Sequence, residues 1–267
     1  SHAKINLALN VTGKTSKLHK IESIVSFINL HDVINLKVTN NKAHKVSFIG
    51  KFSKNINEKN TVSMLLKLLD KKKLLKDKKF DIKIIKNIPQ QAGMGGGSMN
   101  ASSLINFFIR KKLIKVKKSE LVKLAKLIGS DVILGIKPSD SILSTNGKIK
   151  KFDKQAKLHV LAVKPNFGCS TKYIYSKVNT FTKSQFNLQK RSMFKIDYLK
   201  TLNNDLEKIA FNKYPRLEKI KLFLLTIPNT IFVRMSGSGS SIIAYFHSKK
   251  ACGIAYSQFK RKFSSHW

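Results

Sequence analysis

The sequence predicts a two-domain α+β protein, and three observations carry that prediction. Short runs of alternating apolar and polar residues follow apolar residues at helical spacing, without the regular strand–helix–strand succession of a doubly wound sheet. At 267 residues the chain suits one large or two smaller domains. Hydrophobic residues make up 42% of it, the content of a globular protein, so a net charge of +38 does not make it a disordered polycation.

From His2 to Thr12, Ile5, Leu7, Leu9 and Val11 share one face while His2, Lys4, Asn6 and Asn10 share the other. That alternation predicts a half-buried strand with a polar face. Strands are predicted at 24–28, 33–38, 46–49 and 80–88, with a helix at 61–69. After Pro89 and a glycine-rich stretch, Leu104, Phe107, Phe108 and Leu113 recur at helical spacing, with Ser98 in the N-cap slot. A second helix at 119–128 stops at Gly129, and Asp131 follows directly. Residues 138–155 read as a strand pair, which sets the domains at 1–155 and 156–267. The second domain reads as a strand at 158–163, a short helix at 171–178 and a polar segment to about 193. Helices at 197–211 and 216–225, strands at 231–235 and 242–246 and a basic C-terminal helix complete it. No internal repeat is visible.

Only five of the 52 basic residues are Arg. Two readings of the charge are open, an AT-rich composition bias and an electrostatic footprint for a polyanion. Lysines spread through nearly every segment, including 71–73, 111–118 and 148–151, favour the dispersed bias over a dedicated nucleic-acid face. Cys169 and Cys252 belong to no CxxC or Cys/His pattern, so two free thiols in a reducing compartment and no structural metal are expected. No apolar run approaches the roughly 18–20 residues of a membrane span, and the N-terminus carries no signal-type region. A soluble cytoplasmic protein without a membrane partner is expected.

Chemistry concentrates in few places. Pro89-Gln90-Gln91-Ala92-Gly93-Met94-Gly95-Gly96-Gly97-Ser98-Met99 places four glycines in five positions between a strand and a helix. Glycines admit positive φ and close approach, and amides at a helix N-terminus suit phosphate oxygens. It is neither a Walker A loop nor a Rossmann fingerprint, and on position alone both a phosphate cradle and a tight connector are open. Ser98 could cap the helix and offer its hydroxyl to phosphate or Mg²⁺. A second loop, Met235-Ser236-Gly237-Ser238-Gly239-Ser240, reads alone as a hairpin turn. Lys4 reads alone as a solvated lysine, and Asp131, before Val132-Ile133-Leu134, as a turn aspartate whose charge state burial and a cation could fix.

Taken together, these motifs carry a family signal. Ala3-Lys4-Ile5-Asn6-Leu7, the first glycine segment, Gly129-Ser130-Asp131 and the second glycine loop, in that order, resemble the GHMP small-molecule kinase superfamily. The resemblance runs over residues 3–246. The first of these motifs, with Asn203-Asn204-Asp205-Leu206-Glu207 and Tyr214-Pro215, is similar to the branch that phosphorylates a cytidine diphosphate ester of methylerythritol in isoprenoid precursor synthesis. The resemblance implies the two-domain GHMP kinase architecture, with a ribosomal-protein-like N-terminal domain and an α/β-plait-like C-terminal domain. It implies ATP and Mg²⁺ as cofactors, Asp131 as the base that takes the proton of the substrate hydroxyl, and Lys4 as its electrostatic partner. It further implies that the segment 89–99 wraps the ATP phosphates. Asn6 and the second loop, with Gly237, Ser238 and Gly239, serve the substrate cleft between the domains. His19 reads the cytosine edge and Tyr175 stacks on its face. The partner so implied is a small molecule, with no nucleic acid and no membrane, on a monomer or homodimer.

Two departures stand out. Leu18 replaces the aromatic that would sandwich cytosine opposite Tyr175, and Val132-Ile133-Leu134-Gly135 replaces the usual Val-Pro-Phe-Phe. An RNA-binding protein is the rival of another class. It predicts a contiguous basic face and steep salt dependence, and gives no reason for Lys4, Asp131 and two glycine loops to occur in kinase order.

Overall fold

A computed structural model describes residues 1–16, 18–153 and 158–267. The predicted domain boundary at 155/156 lies outside the described residues. In chain order the elements are β1 (His2–Lys14), β2 (His19–His31), β3 (Val33–Thr39), β4 (Lys45–Ile49), α1 (Thr61–Lys71) and β5 (Lys79–Ile85). Then come α2 (Gly96–Arg110), α3 (Lys118–Ile128), α4 (Val132–Gly135), β6 (Asp140–Leu143), β7 (Ile149–Phe152) and β8 (His159–Val163). The chain ends with α5 (Thr171–Ser176), a 3₁₀ turn (Arg191–Phe194), α6 (Ile196–Thr201), α7 (Leu206–Lys213), α8 (Pro215–Thr226), β9 (Phe232–Met235), β10 (Ile242–Phe246) and α9 (Lys249–Lys262). The chain is a mixed α/β protein.

Two units separate, each from three stretches of chain. The first comprises Ser1–Lys4, Phe27–Gln90 and Gly95–Pro138. Its sheet has the order β3-β5-β4, with β3 antiparallel and β4 parallel to the central β5. Period-two alternation turns Phe80, Ile82 and Ile84 of β5 inward, where they meet Leu65, Leu66 and Leu69 of α1, Leu104 and Phe108 of α2, and Leu124 and Ile128 of α3. The helix predicted at 61–69 is α1. It starts there because the Asn60 side chain accepts from the amides of Val62 and Ser63, while the Ser63 side chain returns to Asn60.

The second unit comprises Ile5–Ser26, Gln91–Met94 and Ser139–Trp267. It holds the antiparallel sheet β8-β10-β9. Every residue of β10 is buried, as suits a central strand covered on both faces. Val163, Met235, Ile242, Ala244 and Phe246 pack with Leu217, Ile220 and Leu224 of α8 and with Ala255 and Phe259 of α9.

Three expectations change. Strand β1 is not half-buried, since every residue from Ala3 to Val11 is buried. Its polar side chains find internal partners: Asn6 donates to Ser23 Oγ at 2.8 Å and Asn10 to Glu22 Oε1 at 2.8 Å. The helix predicted at 197–211 is broken into α6 and α7. Between them Asn204 bridges to Leu9, with the Leu9 amide donating to Asn203 O and the Asp205 amide to Leu9 O. Ser98 is not an N-cap. Helix α2 begins three residues earlier than that cap implies, at Gly96, with Gly95 in the cap position at φ 67°, because only glycine takes that left-handed entry without cost.

Candidate active site

In the first unit, Lys4 comes from β1 and Asp131 from the residue before α4. Lys4 Nζ lies 3.1 Å from Asp131 Oδ2. The lysine is almost wholly buried, whereas 29% of the aspartate side chain remains reachable. A Cβ added to Gly95 would stand 3.0 Å from Lys4 Cγ and 3.6 Å from Asp131 Oδ2, so the absent side chain lets the backbone at the start of α2 close on the pair. The amides of Gly96, Gly97 and Ser98 have no acceptor within their helix, and no side chain caps it. They offer the partial positive charge that attracts an anion. On one flank Thr61 Oγ1 donates to Gly97 O at 2.7 Å, and on another Gln90 Nε2 donates to the carbonyls of Phe52 and Lys54. In the departure at Val132–Gly135, Val132 and Leu134 are buried and the last position carries no side chain. Gly135 lies against Ser102 and Met99, and its carbonyl accepts from Asn106 Nδ2 at 2.8 Å.

In the second unit the middle of the first glycine segment meets the second glycine loop. The amide of Ser240 donates to Gln91 O at 3.2 Å and that of Ser241 to Ala92 O at 3.3 Å. Ser236 Oγ donates to Gly93 O at 2.9 Å and accepts from the Asn6 amide at 3.2 Å. Gly93 has φ 70°, and a Cβ there would come within 1.9 Å of Ser236 O. Ser238 Oγ shares a 2.8 Å hydrogen bond with Thr171 Oγ1. The loop is also the hairpin it resembles, joining β9 to β10. The Asn203–Glu207 motif holds it from below. Asn204 Nδ2 donates to Met235 O and to Gly237 O, both at 2.8 Å, and Glu207 Oε1 accepts from the Met235 amide at 2.6 Å.

His19, at the start of β2, meets Tyr175 of α5 with ring centroids 5.2 Å apart. Its Nε2 is buried and has no hydrogen-bond partner among the described residues. Burial, helped by the charge of Lys14, holds the imidazole below its ordinary value. Leu18 beside it is exposed, and Lys17 lies outside the described residues. Among the described residues no group of three or more His, Cys, Asp or Glu could hold a metal ion, and no helix is long and apolar enough to cross a membrane. Sequence reasoning missed Asp32 of the first unit and the two side chains that donate to it, Lys86 and Asn100. A lysine among 47 carries no signal, although Asp32 is one of only 14 acidic residues and directly follows an apolar strand.

The fold and these motifs define a class. The profile of the GHMP kinases N terminal domain matches residues 60–148. Among solved structures, a mevalonate kinase from L. major superposes with a TM-score of 0.69 at 17% identity, covering all of this chain and 93% of that one. A crystal structure of 4-(cytidine 5'-diphospho)-2C-methyl-D-erythritol kinase superposes at 0.79 with 20% identity, covering 100% of this chain and 96% of that one. A curated 4-diphosphocytidyl-2-C-methyl-D-erythritol kinase from Pelagibacter ubique is 67% identical over 267 residues, all of this chain and 95% of the relative. One from Clostridium novyi is 31% identical over 99% of this chain and 96% of its own. The chain belongs to the 4-diphosphocytidyl-2-C-methyl-D-erythritol kinase family of GHMP kinases.

Proposed function

We propose that the chain is an ATP-dependent kinase that transfers the γ-phosphoryl group to the 2-hydroxyl of 4-diphosphocytidyl-2-C-methyl-D-erythritol, a step of isoprenoid precursor synthesis by the methylerythritol phosphate route. The observation that carries this reading is the 67% identity to the Pelagibacter ubique kinase along the whole chain.

Phosphoryl transfer through a loose transition state asks for positioning and charge stabilisation more than for covalent help. Asp131, reachable from solvent, takes the proton of the acceptor hydroxyl as its oxygen attacks. Lys4, buried against it, orients the carboxylate and then offsets negative charge at the reacting oxygens. Residues 89–99 bind the triphosphate. The uncapped amides of Gly96, Gly97 and Ser98 suit its oxygens, and the positive φ of Gly93 and Gly95 brings backbone where a side chain would intrude. The residues present fit a magnesium ion that arrives with ATP, not a protein-built cage. The phosphate oxygens with the Ser98 hydroxyl would hold it, and it would supply charge neutralisation. Asn6, Gly237, Ser238 and Gly239 serve the acceptor, His19 bonds the cytosine edge through Nε2, and Tyr175 offers its ring face.

A ribosomal-protein-like domain spans 1–155 and an α/β-plait-like domain 156–267, in a cytoplasmic monomer or homodimer that uses its positive charge to attract small anions and not nucleic acid. The test is transfer of label from [γ-³²P]ATP to 4-diphosphocytidyl-2-C-methyl-D-erythritol, with mevalonate and homoserine as rival acceptors. Labelling of the first alone supports the reading, and labelling of a rival or of none overturns it.

A further inference from the structure

Asp32 directly follows β2, is wholly buried, and has no part in the chemistry above. Its carboxylate takes four donors. Oδ1 accepts from the amides of Asn87 and Ile88, each at 2.8 Å. Oδ2 accepts from Asn100 Nδ2 at 2.9 Å and from the ammonium of Lys86, itself buried. These donors stand on both sides of the glycine segment in sequence. Lys86, Asn87 and Ile88 lead directly into Pro89, and Asn100 is the fifth residue of α2. A Cβ added to Gly96 would lie 3.1 Å from Ile88 Cγ2 and 3.3 Å from Lys86 Nζ, so the ammonium and the exit of β5 press directly on the first turn of α2.

A buried ion pair is a weak stabiliser, because desolvating two charges offsets their attraction. This one does something an apolar pair could not. The first turn of α2 carries the positive end of the helix dipole, and Lys86 places a full positive charge beneath it. Two like charges packed this closely need an anion beside them, and the Asp32 carboxylate, which accepts from Lys86 and from Asn100 of α2, is that anion. The same carboxylate ties the entry to the glycine segment and the helix that follows to one point.

We propose that Asp32 is a positioning residue for the triphosphate site, acting through Ile88, Lys86 and Asn100. It fixes the start of α2 relative to the exit of β5 and holds the Lys86 ammonium in place beneath the amides that face the phosphates. The inference rests on the reading of that helix start as the ATP phosphate site.

The test measures KM for ATP and for the cytidine diphosphate acceptor separately, alongside thermal unfolding, in D32N, N100L and the double variant D32N/K86M. D32N and N100L should raise the ATP KM about tenfold while the acceptor KM stays within about twofold. N100L changes no charge, so it separates anchoring from the field of the pair. The double variant leaves no unpaired buried charge and should regain thermal stability relative to D32N, yet its ATP KM should remain raised. Single variants that unfold more easily with an unchanged ATP KM would reduce the network to a structural one and overturn the proposal. So would a double variant that regains the wild-type ATP KM, or a parallel rise of both KM values. If the wild-type protein labels no acceptor, the kinase reading fails by itself. Direct calorimetric titration of ATP into the same variants then decides the positioning role, an unchanged affinity overturning it.

Discussion

Lys4 Nζ sits 3.1 Å from Asp131 Oδ2 with unequal access to solvent, the lysine enclosed and the aspartate partly open. That asymmetry matters for a proton acceptor. A base must be reached by its substrate, whereas the cation that orients it works better out of water, where its field is less screened. Glycine at position 95 makes the arrangement possible, because a side chain there would crowd Lys4 Cγ and Cε.

Asp131→Asn keeps the shape of the side chain and removes its basicity. The expected result is a fall in kcat of roughly 10²–10⁴-fold. Lys4→Met removes the buried charge and should lower kcat as well. Label transfer from ATP measures both, and rates within about threefold of wild type would refute the assigned roles.

Glycine positions should divide by what surrounds them. Gly93 (φ 70°) and Gly147 (φ 78°) both lie in the left-handed region, but a Cβ at Gly93 would reach 1.9 Å from Ser236 O while one at Gly147 would meet nothing within 4 Å. Gly147→Ala should therefore cost only the backbone strain, about 1–2 kcal/mol. Gly93→Ala adds displacement of the second glycine loop, and a further loss of about 1–3 kcal/mol is expected. Denaturant unfolding of the two variants compares them directly, and equal losses would contradict the packing seen at Gly93.

Much of this site was legible because its chemistry needs unusual residues close together in sequence. Four glycines in five positions mark a backbone that must bend and approach something, and one aspartate among 14 acidic residues after a helix stop is conspicuous. Helix α1 was legible for the same local reason, its apolar residues at helical spacing over 61–69. What was not legible depends on distant partners. Lys4 looked solvated because nothing near it in sequence reveals Asp131. The polar face of β1 looked exposed because Ser23 and Glu22, which satisfy Asn6 and Asn10, lie on another strand. The break between α6 and α7 was hidden because Asn204 and Asp205 are spent on β1 and the second glycine loop, a tertiary demand that helical spacing does not register.

His19 gives a pH signature. Burial and Lys14 hold its pKa below the ordinary value, so the ring is neutral at pH 7 and Nε2 can serve one ligand edge. The sign for stability follows. The unfolded chain takes up the proton first as the pH drops below about 6.5, so stability is complete above that value and is lost below it, down to the folded pKa. In His19→Phe this loss should disappear from the stability profile between pH 5 and 7. The same variant should bind CDP about tenfold more weakly, the worth of one hydrogen bond. NMR titration of the ring reads the first effect and calorimetry the second; a His19 pKa above 6.5 would reverse the expected sign.

The Asn203–Glu207 motif should split residue by residue according to which atoms it uses. Asn203 contributes its carbonyl to the Leu9 amide and leaves its side chain exposed, so Asn203→Ala should change stability by less than about 0.5 kcal/mol. Asn204 is buried and its amide nitrogen serves the carbonyls of both Met235 and Gly237. Asn204→Ala strands two acceptors and should cost about 2 kcal/mol. Asn204→Asp should cost more, since a carboxylate oxygen would then face two carbonyl oxygens. Because Gly237 is the first glycine of the second loop, both Asn204 variants should also raise the acceptor KM while Asn203→Ala does not. Urea unfolding and steady-state kinetics on the three variants test this, and an Asn204→Ala enzyme with wild-type stability would show that the two carbonyls do not depend on that amide.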